Sequence, residues 1–185
     1  MARDTLTRSL HDLGLAAWFG GTLANAVALN PAAAAAKDEE DRGAVANAGW
    51  DRWTPVNAAA IGAHLIGSVG QLGANKGRLA GQQGVASMAL TKTALTATAL
   101  GLTAWSRSLG RTVSGHGRVP AKSGSEPSSS TPPEVAEAQK RLAVLQWAIP
   151  AVTGALVAVT SFAGEQQRAQ EQRRGIGRRV AGIVR

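Results

Sequence analysis

The residues in this chain whose types could do chemistry are three histidines, one lysine set inside an apolar run, and a few amides. His64 falls near the middle of an apolar stretch, with Gly62, Ala63 and Gly67 around it. An imidazole at the middle of a membrane helix serves as a relay or ligand, or hydrogen-bonds a neighbouring helix. His11 stands at the entry of an earlier apolar stretch. Lys92 stands seven residues into a later one, roughly 10 Å along it by helical rise. Side chains tilt toward their helix N-terminus, so on two helices running the same way Lys92 aims back toward the level of His11. His11 and Lys92 are therefore the candidate cofactor-binding pair. The competing account is snorkelling, in which the lysine reaches the headgroups and does nothing else. An inward Lys92 needs a polar partner, and Glu165 is one candidate. Asn57 and Gln71 join His64 as further intramembrane polar candidates, while His116 lies in a polar connector and reads as solvated.

Other chemistries lack their residues. There is no cysteine, hence no thiolate ligand, disulfide or thiol nucleophile. Copper favours Met, Cys or clustered His, and here the methionines are Met1 and Met88 alone, with no two histidines at ligand spacing. No metal site is expected. No nucleophile–base pair, Walker loop or dinucleotide fingerprint occurs, and the glycines of GQLGANKG lack the strand–loop–helix setting of a phosphate loop. The catalytic residues stay unknown, and the reading leans away from an enzyme.

Four apolar stretches must position the candidates: Leu13 to Leu29, Val56 to Ala74, Val85 to Trp105, and Leu142 to Gly164. At 1.5 Å per residue each is long enough for a bilayer core of about 30 Å or nearly so. The second follows Thr54-Pro55 directly, and proline in a helix's first turn costs little. The third is rich in threonine, whose hydroxyl can bond back to its own helix backbone. The fourth carries Pro150. A cleaved signal peptide competes for the first stretch. Three further stretches of like character, and the polar Asn25 and Asn30 at its exit, weigh against that. The expected fold class is all-α, an integral membrane four-helix bundle in up-down-up-down order. Small residues at spacings of four, such as Gly20 and Ala24, Ala59, Ala63 and Gly67, then Gly70, and Ala97 and Gly101, would let helices approach closely in lipid.

The connectors are polar. The first holds KDEEDR and then Trp50 and Trp53, which suit an interfacial belt. The second, Asn75 to Gly84, is short and basic. Residues 106–141 form a connector expected to be flexible because of SGSEPSSSTPP, although 133–141 reads as a helical approach to the fourth span. Residues 1–164 thus make the transmembrane domain and 165–185 a basic tail with six arginines, a disordered arm or a surface helix drawn to anionic lipid.

Fifteen arginines against five lysines, with abundant alanine, suggest a high-GC bacterial genome. The net charge of +8 lies between and beyond the apolar stretches. With five Trp, two Phe and no Tyr there is no base-stacking platform, so nucleic acid is not an expected partner. With both termini cytoplasmic, the basic residues number ten inside against nine outside, Lys92 set aside. The arginine-dense tail favours cytoplasmic termini.

The run Leu10-His11 followed by Ala17-Trp18-Phe19-Gly20-Gly21 resembles the first helix of the four-span superfamily that contains HemJ-type protoporphyrinogen oxidases and CopD-like copper-resistance proteins. Lys92 matches a lysine early in their third span, and Ile149-Pro150 a proline early in their fourth. Trp147-Ala148 stands where HemJ-type proteins carry Asn-Glu. The resemblance implies haem b at His11 and Lys92. The chain is also similar to uncharacterised membrane proteins of high-GC Gram-positive bacteria, and this places it in the bacterial cytoplasmic (inner) membrane as a multi-pass protein. Three functions are expected: a non-enzymatic accessory, scaffold or complex subunit, with a larger membrane complex or a homo-oligomer as partner; a haem-associated redox protein of HemJ-like type; or a small transporter or channel.

Overall fold

A computed structural model describes residues 5–74 and 85–183, with side chains described up to residue 164. Among the described residues all regular structure is helical: α1 (Thr5–Ala24), a π-helical turn (Asn25–Leu29), α2 (Asn30–Ala33), α3 (Glu39–Ala74), α4 (Val85–Gly115) and α5 (Pro133–Ile183). The second connector and the first four residues lie outside the described residues, as do the side chains of the basic tail and of Glu165.

The helices overrun the apolar stretches. α3 begins at Glu39, not after Pro55, because Glu39, Glu40 and Asp41 fill its first turn and meet the positive end of the helix dipole. Pro55 is therefore interior and deprives the Asp51 carbonyl of a donor, a loss that an amphipathic approach segment tolerates beside solvent. α4 runs on through Ser106 to Gly115, and α5 starts at Pro133, so both ends of the expected flexible connector are helical. Its middle folds as a turn-rich cap. Ala121 N donates to Glu39 O at 3.0 Å and Lys122 N to Glu126 O at 2.8 Å, with Ala121 and Pro127 paired in an isolated bridge. Val119, Ala121, Ser125, Ser128 and Thr131 are buried there, and Arg118 pairs with Asp41. Gly117 takes φ +72°, where a side chain would be strained, and lets the chain leave α4.

Four long helices pack with alternating direction. α1 runs antiparallel along α3, so that Thr7 lies by Gly70, His11 by Gly67, Gly14 by Ala60 and His64, and Gly21 by Trp53. A methyl group at Gly14 or Gly67 would meet the partner's backbone, so these two glycines set the close approach. Gly20 and Gly101 face open space instead. α4 and α5 form the second pair through Val113, Val135 and Ala138, flanked by Leu109 and Leu142. The ring of Phe19 against Gly154 and the bond from Asn30 Nδ2 to Gln146 Oε1 at 2.8 Å join α1 and α2 to α5. Among the described residues one segment, Pro133–Gly164, is long and apolar enough to cross a membrane, with a mean hydropathy of 1.9.

Candidate functional site

The polar residues collect at two levels of the bundle. At the first, His11 on α1 and His64 on α3 are 1% and 0% exposed, and their rings lie 4.5 Å apart at 48°. The contact follows from the glycine spacing: with no side chain at Gly14 or Gly67, the two backbones come close enough for the rings to meet. His64 Nδ1 lies 3.3 Å from His11 O and donates to it, since a carbonyl only accepts. His64 Nε2 then accepts from Thr96 Oγ1 of α4 at 3.4 Å. Trp18 seals the next turn, edge-on to His64 at 6.2 Å, and its Nε1 donates to Thr103 Oγ1 of α4 at 3.3 Å.

His11 Nδ1 donates to Asp12 Oδ1 at 2.8 Å, while His11 Nε2 is buried without a partner. His11 precedes the apolar stretch that begins at Leu13. Burial first, and then the positive charge of Lys92, push its pKa below the ordinary value, against the opposing hydrogen bond and charge of Asp12. Lys92 is half-buried on α4 at this same level, within the field of Asp12 and Arg8. Pairing His11 with Lys92 from the sequence thus left out His64, the residue that His11 touches. The signal was available: Gly67 is three residues beyond His64 and Gly14 three beyond His11.

Haem b, implied by the resemblance, does not fit here. The unpartnered His11 Nε2 is the donor atom that an iron would need, but it is walled in, and its ring stacks on His64 at 4.5 Å. A macrocycle would have to part α1 from α3, and no step is derived through it.

At the second level, under the cap, a cavity of about 310 Å³ separates α3 from α4. Asn57, Trp53 and Trp50 of α3 line it, with Thr103 of α4 and Ile149 of α5. Asn57 is buried, and its Oδ1 and Trp53 Nε1 have no hydrogen-bond partner. Asn30 is the hub of the cap. Its Oδ1 accepts from Trp50 Nε1 at 3.0 Å, its Nδ2 donates to Gln146, and its carbonyl accepts from Gly124 N at 3.2 Å. At the mouth, Arg107 of α4 stands 3.7 Å from Asp51 of α3. Of the candidates, then, Asn57 belongs to this cavity. His11, His64 and Lys92 belong to the other level, and Gln71, half-buried near the end of α3, lies outside the cavity. His116 is on the surface, its Nδ1 bonded to Thr112 O at 2.8 Å.

A scan against protein-family models finds no match to this chain, and neither the curated proteins nor the solved structures give one.

Proposed function

We propose that the chain is a multi-pass protein of the bacterial cytoplasmic membrane, with both termini cytoplasmic, acting as a non-enzymatic scaffold or subunit of a larger membrane assembly. The observation that carries this reading is the distribution of side chains. Leu13, Val69, Leu90, Val144 and Phe162 are each at least 68% exposed, whereas His11, His64, Asn57, Gln139 and Thr153 are buried. In water that arrangement would leave apolar surface exposed on every long helix, and a bilayer removes the cost. Threonines in α4 satisfy themselves, Thr91 Oγ1 bonding Ser87 O at 3.0 Å and Thr93 Oγ1 bonding Ala89 O at 2.9 Å. The small faces Gly20–Ala24 and Ala97–Gly101 are exposed, so they remain open to helices of other chains.

Membrane fractions carrying the tagged chain, washed with alkaline carbonate and then extracted in mild detergent, test this. The chain stays with the membrane pellet and elutes as a colourless, defined complex with another membrane protein or with itself. Release into the carbonate wash removes the membrane reading. A Soret band in the purified protein, lost on His11→Ala, replaces the scaffold with the haem-associated alternative.

A further inference from the structure

The cavity between α3 and α4 has the makings of a ligand site, and its wall restricts what it can hold. α3 and α4 are tied by side chains at two levels, His64 to Thr96 and Asp51 to Arg107, and the cavity stands between those ties. At about 310 Å³ it lies at the lower end of the range for small-molecule sites. Arg107 is the one charged residue in the wall, and Asp51 already stands against it. An ion would gain little here. Ile61, Leu100, Leu142 and Ile149 supply hydrocarbon surface instead.

Two polar atoms break that apolar wall. Trp53 and Asn57 sit one helical turn apart on α3, both lining the cavity, so they present neighbouring groups to it. Asn57 is 9% exposed and its Oδ1 lacks a donor, while Trp53 Nε1 lacks an acceptor. Leaving such groups buried and unpaired costs about 1–3 kcal/mol each. A hydroxyl group answers both, since it donates one hydrogen bond and accepts another. Ala58 and Ala104, both exposed, stand at the edge of the gap and leave it open from the side.

We propose that this cavity binds a small, uncharged, mainly apolar alcohol, held by Asn57 and Trp53 through its hydroxyl group and entering sideways between α3 and α4. The assignment stands on the cavity alone and is independent of any partner protein.

The probe is a medium-chain alcohol carrying a diazirine, with the matching carboxylic acid as control. The full chain is used in bilayer nanodiscs, or in buffer if the carbonate wash releases it. Photolabelling of peptides bearing Trp50 to Ile61 and Leu100 to Ser114 saturates and is competed by the unlabelled alcohol. Ala104→Trp fills the cavity and abolishes the label, and Ala58→Phe does the same by a second route should the first variant misfold. Asn57→Leu keeps the shape, removes the acceptor, and raises the concentration for half-labelling about tenfold, the scale of one well-made hydrogen bond. The proposal is overturned by labelling that does not saturate, by labelling that survives both filling variants, or by an acid that labels as well as the alcohol.

Discussion

His64 donates through Nδ1 to the backbone carbonyl of His11 at 3.3 Å, and the ring of His11 lies against the ring that makes this bond. One imidazole thereby bonds the backbone of α1 and, through Thr96, the side of α4, while standing on α3. It is a three-helix tie, built from the residue that a sequence reader would first suspect of moving protons.

That tie has a measurable size. His64→Ala removes both bonds and leaves a hole beside Trp18, which amounts to about 2–4 kcal/mol of lost stability. His64→Gln retains an amide that can donate to the His11 carbonyl and recovers part of the loss. Thermal unfolding in detergent orders the variants as wild type, Gln, then Ala. Equal midpoints for all three would mean that the ring is a passenger.

The glycines separate more sharply. A methyl group at Gly14 would collide with Ala60 O and His64 N, and one at Gly67 with His11 N and Thr7 O. These obstacles are backbone atoms, so no rotamer change relieves them. Gly14→Ala and Gly67→Ala each cost about 1–3 kcal/mol. Gly20→Ala and Gly101→Ala meet open space and stabilise by up to about 1 kcal/mol through helix propensity, as read from the isolated chain. Midpoint shifts of one sign for all four substitutions would contradict this packing.

Asn30 ties the cap to the bundle. Asn30→Ala leaves Trp50 Nε1 and Gln146 Oε1 without their closest partner, and it frees the side of the loop that Gly124 anchors. The expected result is faster hydrogen exchange and protease cutting between residues 116 and 131, with the α1–α3 contact unchanged. Exchange that rises uniformly along the chain would show that Asn30 supports the whole fold and not the cap.

The helices were legible in the sequence because their apolar runs are long, and His64, His11, Lys92 and Asn57 stood out as polar residues inside or beside them. Helix ends were not. Pro55 reads as a start, yet the three acidic residues at the beginning of α3 set the start sixteen residues earlier. The Ser/Pro-rich segment reads as a mobile linker from composition, yet Asn30, Glu39 and Gln146 hold it through contacts remote in sequence; Asn30 and Gln146 are 116 residues apart. Grouping of the candidates failed for the same reason. Spacing along one helix says which residues share a face, but not which face meets a neighbour. Only the glycines carried that information, and Gly14 and Gly67 had to be told from Gly20 and Gly101, which look no different in the sequence.

The last prediction concerns acid. His11 is buried, its Nε2 has no acceptor, and Lys92 adds positive charge nearby, so the folded protein holds its imidazole below the model value of 6.5. The unfolded chain has no such constraint and binds the proton more readily. Stability therefore rises with pH wherever the unfolded state carries the extra proton. For His11 this contribution is complete above its unfolded value and is lost as the pH falls from about 6.5 toward the lower folded value. Unfolding midpoints taken near pH 7.5 and near pH 5 should drop toward acid in the wild type and drop less in His11→Gln, which cannot titrate at that position. Lys92→Met removes one cause of the depressed pKa, so its midpoint should fall less than the wild type's, while Asp12→Asn removes the opposing acceptor and should fall more. An acid drop that is the same in His11→Gln as in the wild type would place the sensitivity elsewhere. If Lys92→Met alone behaved like the wild type, the lysine would lie too far toward the headgroups to act on the histidine, and snorkelling would account for it.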